Sequence, residues 1–357
     1  MYICTQNINN MALTKEQLLT FLRLPKFGNV KGFALSNYAI SNDIVLDSDR
    51  DMLDFLIECR ANNISRGIPE YYLDDIKEAS EAVRRIIAFS EDQGIGLVTY
   101  FEKDFPDKLR GLRSKGKDVS PLLLWYKGDL KVAEMPGVAI IGTREPTKEG
   151  IKSGEYLGKK FAEAGINVIS GLAYGCDKSG HVGALQAEDG KTTAFLAHGL
   201  DSVYPQEHTE LAEEIVSRGG LLMSEYAIGT RGMANFFVER DRLQSGLADT
   251  CVVIQTGTKG GTLHAVRATV ENKKPLYAVT FSDPSVMAQE KVQGNSMLID
   301  LGIEPDKGMP KVKASALSSG NVEEVITELK ARYSERKEPV SAGSPKAEDG
   351  QYTLELE

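Results

Sequence analysis

The feature that most constrains the fold is a series of six short runs of apolar, mostly β-branched residues. They are VAII (138–141), NVIS (167–170), TAFLA (193–197), GLLMSE (220–225), CVVIQ (251–255) and PLYAV (275–279). Helix-length segments separate them, such as 148–164, 177–189, 207–218 and 261–272. Strands that are apolar throughout and alternate with helices indicate a parallel sheet covered on both faces. We therefore predict an α/β fold with a doubly wound, mostly parallel sheet, whose ligands bind at the carboxyl ends of the strands.

Composition narrows the class of protein. A chain of 357 residues exceeds the usual single-domain size, so we expect two or three units. The net charge of −9 argues against coating nucleic acid by bulk charge, although it permits a local basic pocket. The four cysteines (Cys4, Cys59, Cys176 and Cys251) form no C-x-x-C pair and are expected to be free thiols. No apolar run approaches the ~20 residues that span a bilayer, and no signal peptide is visible, so we expect a cytoplasmic protein without membrane contact.

The N-terminal part, residues 1–90, is predicted to be a small helical domain. Thr14 to Gln17 form a capping-box start for its first helix. LPKFGNVKG (24–32) then breaks that helix. The break resembles a helix-hairpin-helix, whose turn can hold a phosphate backbone, but a simple turn between two helices is the favoured interpretation. At the other end we expect a terminal helix over 311–335 and a flexible polar tail over 336–357.

Glycine-rich or polar motifs follow four of the predicted strands: GTREPT (142–147), SGLAYGCDKSGH (170–181), HGLDSVYP (198–205) and TGTKGGT (256–262). A glycine after a strand is usually only a turn, but a parallel sheet brings all four motifs to one edge. Thr147 is predicted to cap the helix that begins near Lys148. Free N–H groups at that helix start, together with Arg144, would hold a phosphate.

Several signatures of enzymes and cofactor sites are missing. The sequence has no G-x-G-x-x-G followed by an acidic residue at the nucleotide-binding spacing, no G-x-x-x-x-G-K-[ST] and no G-x-S-x-G. Asp177 and His181, four residues apart on one helix face, could begin a metal site, but no third ligand stands at a recognisable spacing. An internal Asp–His hydrogen bond that braces the loop is the favoured interpretation. We therefore predict no enzymatic turnover, no cofactor and no metal.

NFFVERDRLQSGLAD (235–249) combines Phe236 and Phe237 with Arg240 and Arg242, which flank Asp241. Rings beside guanidinium groups suit single-stranded nucleic acid, because bases stack on rings and phosphates pair with arginines. The alternative is that the rings belong to the core and the arginines pair with neighbouring acids. Spacing alone does not separate the two interpretations.

From about residue 95 to 302, these stretches together resemble the DNA-processing protein A family, also called DprA or Smf. The resemblance rests on GIGLVTYFEKDFPDKLR (94–110), PLLLWYKGDL (121–130), IGTREPTKEG (141–150), SGLAYGCDKSGHVGAL (170–185), HGLDSVYPQEHTELAEEI (198–215), LLMSEYAIGT (221–230), RDRLQSGLAD (240–249) and GNSMLIDLG (294–302). It implies an extended Rossmann-like domain over 91–310, preceded by the family's small helix-hairpin-helix or SAM-like domain. It also implies binding of single-stranded DNA, a homodimer, and a role in loading a RecA-type recombinase during DNA recombination and natural transformation.

The resemblance assigns functions to particular residues. Arg144 matches the arginine of the family's Gly-Ser/Thr-Arg motif, and Lys178 lies in its Gly-Ile-Asp loop. Phe237, Arg240 and Arg242 match its Phe-Pro-x-Arg-Asn-Arg motif. The full set expected to contact DNA or phosphate is Gly142, Thr143, Arg144, Gly171, Lys178, Phe237, Arg240, Arg242, Lys259, Gly260, Gly261 and Thr262.

The sequence also departs from the family pattern. Asp241 stands where Asn is usual, Val238 where Pro is usual and Gln255 where Glu is common, and KGGT (259–262) replaces a Ser-Gly-Ser-like element. We expect no winged helix after residue 335. These departures suggest a specialised relative, acting in a phage-defence or mobile-element module with a cognate partner protein. Two alternatives to DNA binding remain: a nucleotide sensor or hydrolase, suggested by KGGT, and a partner protein that has lost its ligand.

Overall fold

The computed structural model describes residues 13–337. Cys4 and the predicted tail beyond Lys337 lie outside the described residues. Within this range a nine-stranded sheet carries helices on both faces, and four further helices precede it. No helix in the described range is long and apolar enough to cross a membrane.

The four N-terminal helices are α1 (Lys15–Arg23), α2 (Asn29–Ser41), α3 (Asp49–Ala61) and α4 (Leu73–Asp92). The predicted capping box at α1 is present, with the Thr14 side chain accepting from Gln17 N and the Gln17 side chain accepting from Thr14 N. Phe21, Leu35 and Phe55 are buried in a core that belongs to these helices alone.

The strands are β1 (Ile95–Thr99), β2 (Arg113–Ser114), β3 (Lys117–Asp118), β4 (Leu123–Gly128), β5 (Gly137–Ile141), β6 (Asn167–Ser170), β7 (Thr192–Phe195), β8 (Leu221–Ser224), β9 (Thr250–Val253), β10 (Leu276–Val279) and β11 (Ser315–Leu317). The large sheet has the order β1-β4-β8-β7-β6-β5-β9-β10-β11, while β2 and β3 form a separate hairpin. Strands β5 to β11 pair in parallel, and β4 and β1 add an antiparallel edge. The predicted mostly parallel sheet is confirmed.

The helices that follow are α5 (Lys148–Glu163), α6 (Cys176–Leu185), α7 (Thr209–Ser217), α8 (Ala234–Leu247), α9 (Thr262–Glu271), α10 (Pro284–Met287), α11 (Gln293–Asp300) and α12 (Val322–Lys337). Alternate residues of β5 face opposite layers: Ile141 packs with α8 and α9, whereas Ile140 packs with α5 and α12. This double coverage explains why the strands are apolar throughout.

The order of the strands reverses at β5. From β5 the chain moves outward in one direction through β6, β7 and β8, and then returns to place β9 on the other side of β5. The loops that leave β5 and β9 therefore diverge and open a crevice at the carboxyl edge of the sheet. Ligands of open α/β sheets bind at such a reversal point.

The divisions predicted between domains stay predictions. Helix α4 ends at Asp92, close to the predicted boundary at 90/91. However, Leu18 and Val83 of the helical part share a core with Ile95 and Trp125 of the sheet, so the two parts are packed together. The sequence patterns did not predict β1, β4 and β11. Strand β11 has only three residues, which is too short for a periodicity to show. The segments of β1 and β4 were noticed only for their resemblance to the family.

Candidate nucleic-acid interface

A cavity of about 670 Å³, which we call the strand-end cleft, occupies the reversal point between β5 and β9. The loop after β5, the loop after β9, helix α8 and the first turns of α6 and α9 form its walls. Its lining residues are Ile141, Gly142, Thr143, Arg144, Ala173, Asp177, Ala234, Phe237, Val238, Arg240, Asp241, Gln244, Thr256, Gly257, Lys259, Gly260, Gly261, Thr262 and Ala265. Nine of the twelve residues predicted to contact DNA lie among them.

Arg144 and Phe237 meet at this cleft. The Arg144 guanidinium carbon lies 5.4 Å from the centroid of the Phe237 ring, in a cation–π contact. The Tyr204 ring also packs against Phe237, with the two ring centroids 5.8 Å apart, and is 58% exposed. The arrangement places a fixed positive charge beside an aromatic ring, which suits a ligand that is both anionic and aromatic.

The loop after β9 supplies open backbone donors. Gly260 adopts φ 125°, which favours glycine, and a side chain at Gly260 or Gly261 would meet no atom within 4 Å. Within residues 13–337, the amides of Gly260, Gly261 and Thr262 find no protein acceptor. These N–H groups begin α9, where the helix dipole adds a partial positive charge, and Lys259 adds a full one.

Asn295 fixes the base of that loop. Its side-chain oxygen accepts from Thr256 N at 2.9 Å, and its amide donates to the carbonyls of Ile254 and Val279. The side chain is fully buried. Asn295 therefore acts through the loop rather than on a ligand, and it was noticed in the sequence only as part of GNSMLIDLG.

Protein groups take some of the donors at the start of α5, where a phosphate site is predicted. Thr147 does cap the helix, accepting from Gly150 N at 3.1 Å. Thr147 N in turn donates to Gln255 Oε1. The pKa of Glu149 is lowered by hydrogen bonds that its carboxylate forms with the Glu149 backbone amide and with the Thr147 side chain. Protein groups therefore accept from the Glu149 and Gly150 amides, and the open donors that line the cleft are those at the start of α9.

Arg240 is placed in the cleft but is buried, with only 4% of its surface exposed. Its Nη1 donates to Phe195 O at 2.6 Å, and its Nε lies 3.4 Å from Asp241 Oδ1. Gly171 makes room for it, since a Cβ there would stand 1.8 Å from Nη1. Arg240 therefore sets the charge and shape of the cleft floor, while Arg144 and Lys259 are the cations at its mouth.

Two carboxyl groups accompany Arg240. Asp177 accepts from the amides of Gly171 and Ala173 and so braces that loop, whereas His181 bonds to Thr192 Oγ1 instead. The predicted Asp–His hydrogen bond is therefore replaced by a bond from Asp177 to the backbone. Burial raises the pKa of Asp177, and burial raises the pKa of Asp241 to about 7 even though Arg240 opposes the shift.

Arg242, which the resemblance expects to contact DNA, does not line the strand-end cleft with Arg144 and Arg240. It donates to Val119 O, Glu239 O and Glu225 Oε1 on the far side of α8. The reason is helical geometry, because residues two apart on a helix point in nearly opposite directions. Lys178 is exposed on α6 outside the cleft lining.

Glycines in the first loop serve packing. A Cβ on Gly142 would stand 2.5 Å from Cys176 Sγ, and a Cβ on Gly175 would meet Thr143 O at 2.5 Å. Gly175 also has φ 76°. The loops after β5 and β6 are thus in direct contact, which fixes the position of Arg144.

Among the described residues, no group of three His, Cys, Asp or Glu side chains is placed to hold a metal ion. Sequence reasoning missed Tyr204 and Gln255 as site residues. The signal for Tyr204 was available, because it lies in HGLDSVYP at the same sheet edge as the other motifs.

Comparison with known proteins places this geometry in a family. Residues 96–307 match the family described as DNA recombination-mediator protein A, which is more than half of the chain. The DNA processing protein DprA of Bacillus subtilis is 28% identical over 207 residues, covering 58% of this chain and 67% of that protein. The putative DprA of Mycobacterium tuberculosis is 37% identical over 153 residues, covering 42% of this chain and 39% of that protein.

Two solved structures share the fold. The structure of DprA from Streptococcus pneumoniae superposes with a TM-score of 0.66 at 24% identity, covering 87% of this chain and 98% of that one. DNA processing protein A from Helicobacter pylori, whose single-stranded DNA binding mode has been determined, gives a TM-score of 0.53 at 26% identity, covering 67% of this chain and 97% of that one. The family match covers more than half of the chain and the fold agrees with it, so the chain belongs to the DNA recombination-mediator protein A family.

Proposed function

We propose that the protein binds single-stranded DNA in the strand-end cleft. One observation carries the proposal: Arg144, Lys259 and the open amides of Gly260 and Gly261 surround a cavity beside the Phe237 ring. Phosphates need the charges and donors, and a base needs the ring.

Family membership supports the same function, since the Helicobacter pylori relative binds single-stranded DNA. We further propose that the protein acts without catalytic turnover, as a homodimer, in DNA processing. On this proposal it delivers bound DNA to a RecA-type recombinase or to a cognate partner in a phage-defence module. The matched part of the chain covers between 39% and 67% of the two relatives described above, so these finer roles are proposals about the whole assembly.

The test is oligonucleotide affinity across a salt series. Arg144→Ala should weaken binding to all sequences about equally and flatten the salt dependence by about one ion, because a phosphate contact carries no base information. Phe237→Ala should cost ~1–3 kcal/mol of binding free energy, with the salt slope unchanged, since a stacked ring releases no counterions.

Arg85→Ala is the matched control, because Arg85 is an exposed arginine of α4 outside the cleft and its loss lowers the net charge equally. If Arg144→Ala binds like wild type at every salt concentration while remaining folded, the proposal is wrong. Competition with mononucleotides separates the alternative, because a nucleotide sensor would release the oligonucleotide at low mononucleotide concentration.

A further inference from the structure

The strand-end cleft contains a carboxyl group whose oxygens are not used by the protein. Asp241 lies on α8 among the residues that line the cleft, and its side chain is 17% exposed. Arg240 Nε lies 3.4 Å from Asp241 Oδ1, which is longer than an ordinary N–H···O hydrogen bond. Among residues 13–337, no other group pairs with this carboxylate. Asp241 therefore keeps its capacity to accept hydrogen bonds from a ligand.

Arg240 directs its own donors to other acceptors. Its Nη1 donates to Phe195 O at 2.6 Å. Gln244, with its side-chain oxygen turned towards the guanidinium, accepts from Arg240 Nε at 2.7 Å and from Nη1 at 2.9 Å. The guanidinium thus opposes the charge of Asp241 without occupying both of its oxygens.

Asp241 is also the neighbour of the ring that is proposed to stack on a base. Phe237 and Asp241 are four residues apart on α8, so they lie next to each other on one face of the helix. Both side chains line the cleft, and Arg144 approaches them from the loop after β5. A base stacked on Phe237 lies parallel to the ring, and its edge then faces the next side chain along the helix face, which is Asp241.

An ionised carboxylate distinguishes the bases by their donors, because it can only accept hydrogen bonds. Guanine presents an imino N–H and an amino group side by side, and both can donate to the two oxygens of one carboxylate. Adenine and cytosine present an amino group beside an acceptor nitrogen. Thymine presents its N–H between two carbonyls, which repel a carboxylate. The Asn that is usual in the family has one acceptor oxygen and a donor of its own, so it does not make this selection.

We infer that Asp241 recognises the base stacked on Phe237 and gives the cleft a preference for guanine, an inference that rests on the proposed binding of single-stranded DNA. The phosphate contacts of Arg144 and Lys259 stay independent of sequence. The preference is a ratio between strands. It is separate from the overall affinity, which the negative charge of Asp241 lowers for every strand.

The experiment measures the affinity of the full chain at pH 8 for two labelled strands of about six nucleotides, a length that suits one binding site. In one strand thymine alternates with guanine, and in the other hypoxanthine replaces each guanine. Hypoxanthine lacks only the amino group, so the two strands stack alike. Wild type should bind the guanine strand about tenfold more tightly, because a hydrogen bond to a charged group is lost with the amino group.

The pH is chosen to ionise Asp241. Burial and the charge of Asp177 raise its pKa to about 7, while Arg240 and Arg144 oppose the shift. At pH 5.5 the carboxyl group carries a proton and keeps one acceptor oxygen, so the preference of the wild type for guanine should shrink. This measurement needs no variant and stands even if a substitution at Asp241 impairs folding.

Asp241→Asn should bind the two strands equally at pH 8, and cooperative urea unfolding checks that the variant is folded. Glu239→Gln is the matched control. It removes the same charge from an exposed position of the same helix, outside the lining of the cleft, and should keep the preference of the wild type.

Equal binding of the two strands by wild type would overturn the inference and leave the cleft proposal standing. An unchanged preference in Asp241→Asn, or in wild type at pH 5.5, would also overturn it, because another group would then recognise the base. The same holds if Glu239→Gln loses the preference, since net charge would then be the cause. A wild-type protein that binds neither strand would instead contradict the proposed function itself.

Discussion

At the scale of single residues, Asp241 controls the charge of the strand-end cleft. Burial raises its pKa to about 7, above the ordinary value of about 3.9. Burial also raises the pKa of Asp177, although Arg240 and the two backbone amides that Asp177 accepts oppose the shift. Asp241, with a pKa of about 7, is therefore a group beside Arg240 that exchanges a proton near neutral pH. Ionised Asp241 repels the phosphate that Arg144 and Lys259 attract.

DNA affinity should therefore fall as pH rises through about 7, and Asp241→Asn should abolish most of this dependence. Below pH 6 the variant should bind like wild type, and at pH 8 it should bind more tightly, by several-fold. The raised pKa also means that ionisation destabilises the fold as pH rises from about 4 to about 7, so the variant should gain stability over wild type across that range. Affinity and urea midpoints measured at pH 5.5 and pH 8 check both. Parallel pH profiles for the two proteins would contradict the assignment.

At the scale of secondary-structure elements, the close packing of α5 on α6 positions the first two loops of the cleft. Glycines at the contact let the backbones touch. A Cβ on Gly158 would stand 2.4 Å from Gly180 O, and one on Gly183 would stand 2.1 Å from Glu155 O. The loop that carries Arg144 leads into α5, and the Gly171–Gly175 loop leads into α6, so the helix pair sets their separation.

Gly158→Ala should lower the free energy of unfolding by ~1–3 kcal/mol, because the new methyl group meets backbone that cannot rotate away. Alanine has a higher helix propensity than glycine, which by itself would stabilise α5. A loss of stability therefore reports the steric clash between α5 and α6. Lys152→Ala, at an exposed position of the same helix, is the control and should change stability by less than ~0.5 kcal/mol. Urea unfolding measures both. A Gly158→Ala protein that is as stable as wild type would show that the helices can separate freely.

At the scale of the whole molecule, a charge cluster around the buried Lys108–Asp249 pair joins three distant parts of the chain. Lys108 Nζ lies 2.7 Å from Asp249 Oδ2, and its side chain is 1% exposed. Arg336 of the last helix lies 2.7 Å from Asp249 Oδ1, and Gly137 N donates to the same carboxylate. The cluster ties the segment after β1 and helix α12 to the amino ends of β5 and β9, opposite the cleft.

Asp249→Asn should cost about 3–5 kcal/mol of stability, because it leaves the Lys108 ammonium buried without its counter-charge. Asp54→Asn breaks the exposed Arg50–Asp54 pair and serves as the control, with an expected loss of no more than ~0.5 kcal/mol. Urea midpoints at low and high salt separate the two pairs, since only the exposed one is screened. Equal, small losses in both variants would mean that water reaches Lys108.

The sequence by itself determined the fold class and most of the strand-end cleft. Continuous apolar strands, a Thr147 cap and glycine motifs after β5 and β9 are local patterns, and the parallel topology brings them to one edge. Tertiary structure decided the rest. Helical geometry turned Arg242 away from the cleft, and burial made Arg240 part of the floor. Gln255 and Thr147 form hydrogen bonds at the start of α5, whereas, within residues 13–337, the first amides of α9 have no protein acceptor. These outcomes depend on which neighbours fill each hydrogen bond, and residues from distant segments supply those neighbours only after the chain has folded.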